Sequence, residues 1–327
     1  MSSFIFAFNS LMPIILLIGF GFLLYKFNFL NDNFVNIGNK LVFKFLIPIY
    51  LFMKIYNIED FKVINFKFIF YSLGLLFVLF ILGILISSFF IKDNRKKGVV
   101  IQSAFRPNYG VLGIPLAMEL GNNNSIVIVS LLAAFLIPFA NTLAVISLNY
   151  YSNKKDKNNI KIALLNIIKN PIILGVVFGL IFLLFKTKFK LDLENNFIII
   201  YKTLDNIQKI TSPFALIILG ASYKFELVKE NKKELVVAVF LRNILSPLLV
   251  IGLTIILYNY GILDYGKDYM PALMALSCTP IAVSSFSLAK GMDMDDKLAS
   301  LIVVWTSLFS IFSIFIVTFL LRLFNFL

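Results

Sequence analysis

Runs of about twenty apolar residues recur along almost the whole chain, separated only by short charged stretches. That pattern constrains the fold more than any single motif. A bilayer core of about 30 Å takes a helix of roughly 20 apolar residues to cross it. Ten such runs can be drawn, at about 4–26, 34–56, 66–91, 99–120, 124–151, 163–185, 197–222, 234–258, 269–290 and 297–325. The stretches KDNRKK (92–97), KKDKNNIK (154–161) and KFELVKENKKE (224–234) separate runs 3 and 4, 5 and 6, and 7 and 8. The ten runs use almost all of the 327 residues, leaving no length for a separate soluble domain. With 60% hydrophobic and 14% charged residues, against about 45–50% apolar for soluble domains, much of the exterior has to be covered by lipid. The expected class is an all-α integral membrane protein of ten transmembrane helices.

The net charge of +13 does not point to nucleic acid, because the lysines sit in short clusters between apolar runs, as membrane proteins distribute cations. A single cysteine, Cys278, excludes an internal disulfide and a thiolate metal cluster. The absence of histidine removes the commonest general base and metal ligand. No cofactor and no metal are expected, and no enzyme. The opening residues MSSFIFAFNSLMP carry no Lys or Arg ahead of the apolar run, so they read as the first span rather than a cleaved signal. Odd-numbered connections hold 16 Lys and Arg against 8 in the even-numbered ones. The positive-inside rule then makes the odd connections cytoplasmic, giving a multi-pass cell-membrane protein with both termini extracytoplasmic.

The two halves repeat each other. MPIILLIGFGF (12–22) resembles NPIILGVVFGL (170–180), with Pro13 on Pro171 and Gly21 on Gly179. Pro48 lies 165 residues before Pro213, and Pro115 lies 165 residues before Pro280. Each half has five spans, an odd number, so the second enters the membrane from the opposite side. This is an inverted-topology repeat, with halves 1–158 and 159–327.

Span 4 reads VVIQSAFRPNYGVLGIPLAMELG and packs Pro107, Gly110, Gly113 and Pro115 into nine residues. A proline withholds one backbone donor and frees the carbonyl four residues back, here Ser103 for Pro107 and Val111 for Pro115. Pro280, in span 9, frees Leu276 among the hydroxyls of Ser277, Thr279, Ser284, Ser285 and Ser287. Helix breaks are therefore expected at Pro107, Pro115 and Pro280. Irregular backbone at membrane depth is tolerated where it is buried or lines a cavity, and matched interrupted spans point to a midplane substrate site. The plainer alternative is a pair of kinked helices whose serines pack closely. Arg106 stands one turn from the span 4 break. Its guanidinium either turns inward beside Asn108, where it suits a carboxylate, or snorkels to the interface. Lys40 and Lys44 read as snorkelling, and Arg242 as structural. The spans hold no paired mid-span carboxylates, which leaves proton coupling unsupported.

PNYGVLGIPLAMELG resembles the span 4 motif of the auxin efflux carrier family, which includes the plant PIN carriers and many bacterial permeases. The match falls on Pro107, Asn108, Gly113, Ile114, Pro115, Leu116 and Gly121. It is joined by Pro280, Phe286, Ala289 and Lys290, and by Asn39, Pro48 and Phe52. The resemblance implies a fold like the bile-acid and sodium/proton transporters, with broken helices 4 and 9 crossing beside the substrate. Spans 1, 2, 6 and 7 would form a scaffold through which two copies dimerise. It implies that Asn108 contacts substrate, with Arg106, Tyr109, Gly113, Pro115, Thr279, Pro280 and Ser284 forming the rest of the site. The implied function is a secondary transporter of a small organic anion, auxin-like or dicarboxylic, working by an elevator-type alternating access. The alternatives are a sodium-coupled symporter of the same fold and a non-transporting receptor for the same ligand. The chain departs from the plant carriers in lacking a long loop between spans 5 and 6, and in carrying Ser285 where they have a second proline.

Overall fold

A computed structural model describes residues 2–58, 65–152, 170–189, 192–223 and 231–327. The boundary between the two halves at 158/159, the start of the sixth span and the cations from Lys154 to Lys169 lie outside the described residues. The described chain is helical almost throughout. Apart from the single turn Leu193–Asn196, the helices are α1 (Ser2–Lys26), α2 (Asp32–Tyr56), α3 (Phe66–Phe90), α4 (Asn94–Phe105), α5 (Tyr109–Leu120), α6 (Asn123–Tyr151), α7 (Pro171–Phe189), α8 (Ile198–Ala221), α9 (Lys232–Asn259), α10 (Met270–Ser277), α11 (Ser284–Gly291) and α12 (Asp296–Leu323). Seven of these (α1, α2, α3, α6, α7, α9 and α12) are long and apolar enough to cross a bilayer. Helix α8 is 24 residues long but carries Lys202, Asp205 and Lys209. The remaining four follow one another in two pairs, α4 with α5 and α10 with α11, each pair separated by a short non-helical break. Large apolar side chains such as Leu16, Phe70, Ile199 and Phe312 stand exposed on the outer faces, where water would penalise them and lipid would not.

Helix starts follow local chemistry. Asn31, Asn65, Asp93, Asn122 and Asp295 each accept a hydrogen bond from a backbone N–H of the following turn, using donors that a helix N-terminus leaves unpaired. Asp93 explains why α4 begins at Asn94, within the charged stretch expected to be a loop. That turn is pinned by Lys96 to Glu234 and by Arg95 to Asp293, both at 3.6 Å.

Pro13, Pro138 and Pro213 lie inside continuous helices, and five other prolines are of two kinds. Three sit two residues beyond a wide π-helical turn: Pro48 after Val42–Leu46, Pro115 after Tyr109–Gly113 and Pro247 after Leu241–Leu245. A proline ring clashes with the carbonyl four residues back, and the extra residue of a π turn gives it room without ending the helix. This corrects the expected break at Pro115, which lies inside α5. The chain breaks instead at Arg106–Asn108, around Pro107, and between Cys278 and Val283, around Pro280.

Helices α1, α2, α7 and α8 pack as one group, α1 on α8 and α2 on α7. Glycines set both contacts. A Cβ on Gly21 would collide with the Ile217 carbonyl, and one on Gly220 with the Ile18 carbonyl. Gly175 lies against the Pro48 carbonyl, 2.5 Å from where a Cβ would stand, and Gly179 against Ile55 and the Phe52 carbonyl. Such close backbone approach is what drives helix association in lipid, where no hydrophobic effect operates between helices. Overpacking of this kind costs about 1–3 kcal/mol or more. Gly21→Ala and Gly220→Ala are therefore expected to lower the thermal unfolding midpoint of the detergent-solubilised protein. Gly19→Ala, with no atom within 4 Å of the added carbon, should leave it unchanged.

Candidate functional site

The two broken helix pairs, α4–α5 and α10–α11, meet at their breaks. Asn108 N–H donates to the Pro280 carbonyl at 2.8 Å, and Ala282 N–H donates to the Arg106 carbonyl at 3.0 Å. Pro107 and Ile281 thus face each other in a one-residue antiparallel bridge, the only β pairing among the described residues. Backbone that the prolines removed from the helices is satisfied across the crossing, as an apolar interior demands. The break in span 9 therefore answers Pro107, and Pro115 stands one π turn further along α5. Serine at position 285 does not close the span 9 break. Its N–H donates to the Ala282 carbonyl and α11 begins beside it.

The two breaks create four helix ends. On one side lie the C-termini of α4 and α10, whose last carbonyls lack intrahelical partners. Arg242, from α9 and wholly buried, reaches both. Its Nε donates to the Thr279 carbonyl at 2.6 Å, Nη2 to the Leu276 carbonyl at 2.5 Å and Nη1 to the Ala104 carbonyl at 3.4 Å. The Leu276 carbonyl freed by Pro280 is thereby taken up by a guanidinium. The reading of Arg242 as structural missed this placement. Nothing in its spacing from span 9 could reveal it, because the two lie 34 to 37 residues apart.

On the other side, Arg106 is only 4% exposed and points inward, which removes the snorkelling alternative. Nη1 donates to Gln102 Oε1 (2.8 Å) and Ser285 Oγ (3.1 Å). Nη2 donates to Asn141 Oδ1 (2.9 Å) and Ser284 Oγ (3.2 Å), and Nε also reaches Asn141 Oδ1 (3.3 Å). Every acceptor is neutral, and among the described residues no carboxylate pairs with this charge. Two buried donors nearby, Asn108 Nδ2 and Gln102 Nε2, have no acceptor at all. Gln102 and Asn141 were not singled out in the sequence; Gln102 stands one turn before Arg106, at the helical spacing that brings side chains together.

Other expected site residues fall elsewhere around the crossing. Tyr109 is buried and donates to the Val129 carbonyl at 3.3 Å. Gly113 lets α5 approach Ala275 of α10, 3.1 Å from where its Cβ would stand. Thr279 is buried, its hydroxyl donating to the Ala275 carbonyl at 2.8 Å. Pro115, with Gly110 and Ile114, borders a cavity of about 10 Å³ facing Tyr50, Thr211 and Ser212 of the scaffold helices. That is room for about one water, and the buried Tyr50 hydroxyl beside it lacks a partner. Lys40 and Lys44 are exposed, as snorkelling side chains would be.

A family model described as membrane transport protein matches residues 6–318. No curated protein matches the chain.

The only cysteine, Cys278, sits at the crossing and is fully buried. It is expected to resist maleimide in native membranes and to label fully after denaturation in SDS, read by mass shift. Fast labelling of the folded protein would mean that the crossing is open to solvent.

Proposed function

The chain belongs to the auxin efflux carrier family of membrane transport proteins, and from that premise we propose that it is a secondary transporter carrying a small organic anion through the crossing by alternating access. The observation that carries this reading is Arg106, a buried guanidinium among neutral acceptors with two unpaired donors, Asn108 Nδ2 and Gln102 Nε2, close at hand. What the cluster lacks is negative charge and acceptor capacity. A carboxylate supplies both, with about four lone-pair sites, and charge-assisted hydrogen bonds are the strong ones. The N-terminus of α11, at Ser284, adds a positive dipole end on the same side. An indole carboxylate or a dicarboxylate such as malate fits that chemistry. Because Arg106 and Asn108 are almost fully buried, the conformation described corresponds to a closed stage of the cycle.

The proposed architecture is ten spans in two inverted halves, counting α4 with α5 and α10 with α11 as one span each. The glycine contacts support it. Gly21 and Gly179 are 158 residues apart, like Pro13 and Pro171, while their partners Phe52 and Ile217 are 165 apart, like Pro48 and Pro213. The contact of α1 with α8 is thus the repeat image of α7 with α2. Two apolar cavities repeat in the same way. One, of about 240 Å³, borders Ile15, Ile18, Gly19 and Phe22 of α1. The other, of about 630 Å³, borders Ile173, Val176, Val177 and Leu180 of α7, each 158 residues on. They separate the scaffold from α12 and from α6 respectively. Tight contacts within the scaffold and loose ones around it suit a rigid frame against which the crossing spans move. Both termini face away from the cytoplasm in this reading.

Counterflow of labelled indole-3-acetate or malate in proteoliposomes tests the reading. Hydrogen bonds to a charged group are worth about 1.5–3 kcal/mol, roughly ten- to a hundredfold in affinity. Asn108→Ala and Arg106→Gln, at unchanged membrane abundance, are expected to reduce counterflow by at least that lower factor. Undiminished counterflow in both variants would remove the site assignment.

A further inference from the structure

We propose that Arg242 is a tethered cation that holds the position an exchangeable sodium ion would need, so that the crossing operates without binding a monovalent cation from solution. The geometry begins with the two half-helix C-termini. Each carries roughly half a negative elementary charge from its unpaired carbonyls, so two of them converging make about one. A cluster of main-chain carbonyls freed by broken helices is the usual material of a transporter sodium site. Here the Ala104, Leu276 and Thr279 carbonyls all point at one guanidinium. Arg242 is wholly buried, and among the described residues no carboxylate forms an ion pair with it. Its counter-charge is the pair of helix ends. A bare buried cation of this kind would cost several kcal/mol; the converging dipoles and three charge-assisted hydrogen bonds offset that cost.

Several polar groups around the crossing are engaged with one another, while Asn243 Oδ1, on the residue next to Arg242, is buried without a donor. The Thr279 hydroxyl donates to the Ala275 carbonyl, the Ser277 hydroxyl to the Leu273 carbonyl, and Cys278 N–H to the Met274 carbonyl. Thr306, on α12, accepts from Ile281 N–H and donates to the Ile302 carbonyl. Among the described residues no group of three or more Asp, Glu, Cys or His comes together to hold a metal. Arginine suits the position better than lysine, because its planar fork reaches carbonyls on two helices at once. The neighbouring Asn243, whose Nδ2 donates to the Thr306 carbonyl and whose own carbonyl accepts from Ser313, fastens α9 to α12 so that the fork is presented in register. The proposal concerns the frame of the crossing and stands whichever anion Arg106 receives.

The test reads the thermal unfolding midpoint of the purified full-length protein in sodium chloride against choline chloride at equal ionic strength, so a failure here leaves the anion site untouched. For the native protein the two curves are expected to coincide. A saturable upward shift with sodium would overturn the proposal. In Arg242→Ser the midpoint should fall, and millimolar guanidinium or sodium, but not choline, should raise it again in a saturable way. If neither cation stabilises that variant, the carbonyl cluster does not demand a cation and the proposal fails. Arg242→Lys covers the case in which Arg242→Ser cannot be purified. It retains the charge and is expected to stay indifferent to sodium, whereas sodium stabilisation of that variant would overturn the assignment.

Discussion

Main chain that leaves a helix inside a bilayer has to be satisfied on the spot, because no water is there to do it. The rest of this structure depends on how that demand is met at one place. Pro107 and Pro280 stand at two helix breaks, and the N–H and C=O groups there pair with each other through Asn108 to Pro280 and Ala282 to Arg106. The exchange leaves four helix ends facing one another near the middle of the protein. Their dipoles sort by sign. The negative ends of α4 and α10 collect Arg242, while Arg106 reaches the hydroxyls that open α11. The first charge meets helix-end carbonyls and the second meets only neutral side-chain acceptors, which is the ground on which we propose an anion at Arg106.

The four helices beside this arrangement are packed closely on one another. Helices α1, α2, α7 and α8 close on one another through glycines whose Cα hydrogens face backbone, leaving no side chain to slide. Larger side chains and apolar cavities mark the boundaries with α6 and α12.

Much of this is legible in the sequence, for physical reasons. Span length follows from bilayer thickness, and the PIIL runs at 13–16 and 171–174 carry the offset that the glycine contacts obey. Pro107 and Pro280 were readable as breaks because a missing donor has a local consequence. Pro115 misled for an instructive reason. A proline also fits at the second position of a helical segment after a π turn, as Pro48 and Pro247 do, and sequence alone does not separate that solution from a break. The 165-residue spacing of Pro115 and Pro280 therefore pairs a proline inside a helix with one at a break. The partners of the two arginines were not legible, because Asn141 and Ser285 lie 35 and 179 residues from Arg106 and meet it only when the crossing forms.

Cross-linking at the bridge tests the crossing most directly. Facing residues in an antiparallel pair that is not itself hydrogen-bonded have Cα atoms about 4.5 Å apart, within the range a disulfide spans. With Cys278 replaced by serine, cysteines at Pro107 and Ile281 should oxidise to a disulfide in native membranes. Two halves cut at a protease site engineered near residue 156 would then run as one species until reduced. Halves that separate without reductant, in a protein that still unfolds cooperatively, would contradict the crossing and everything drawn from it.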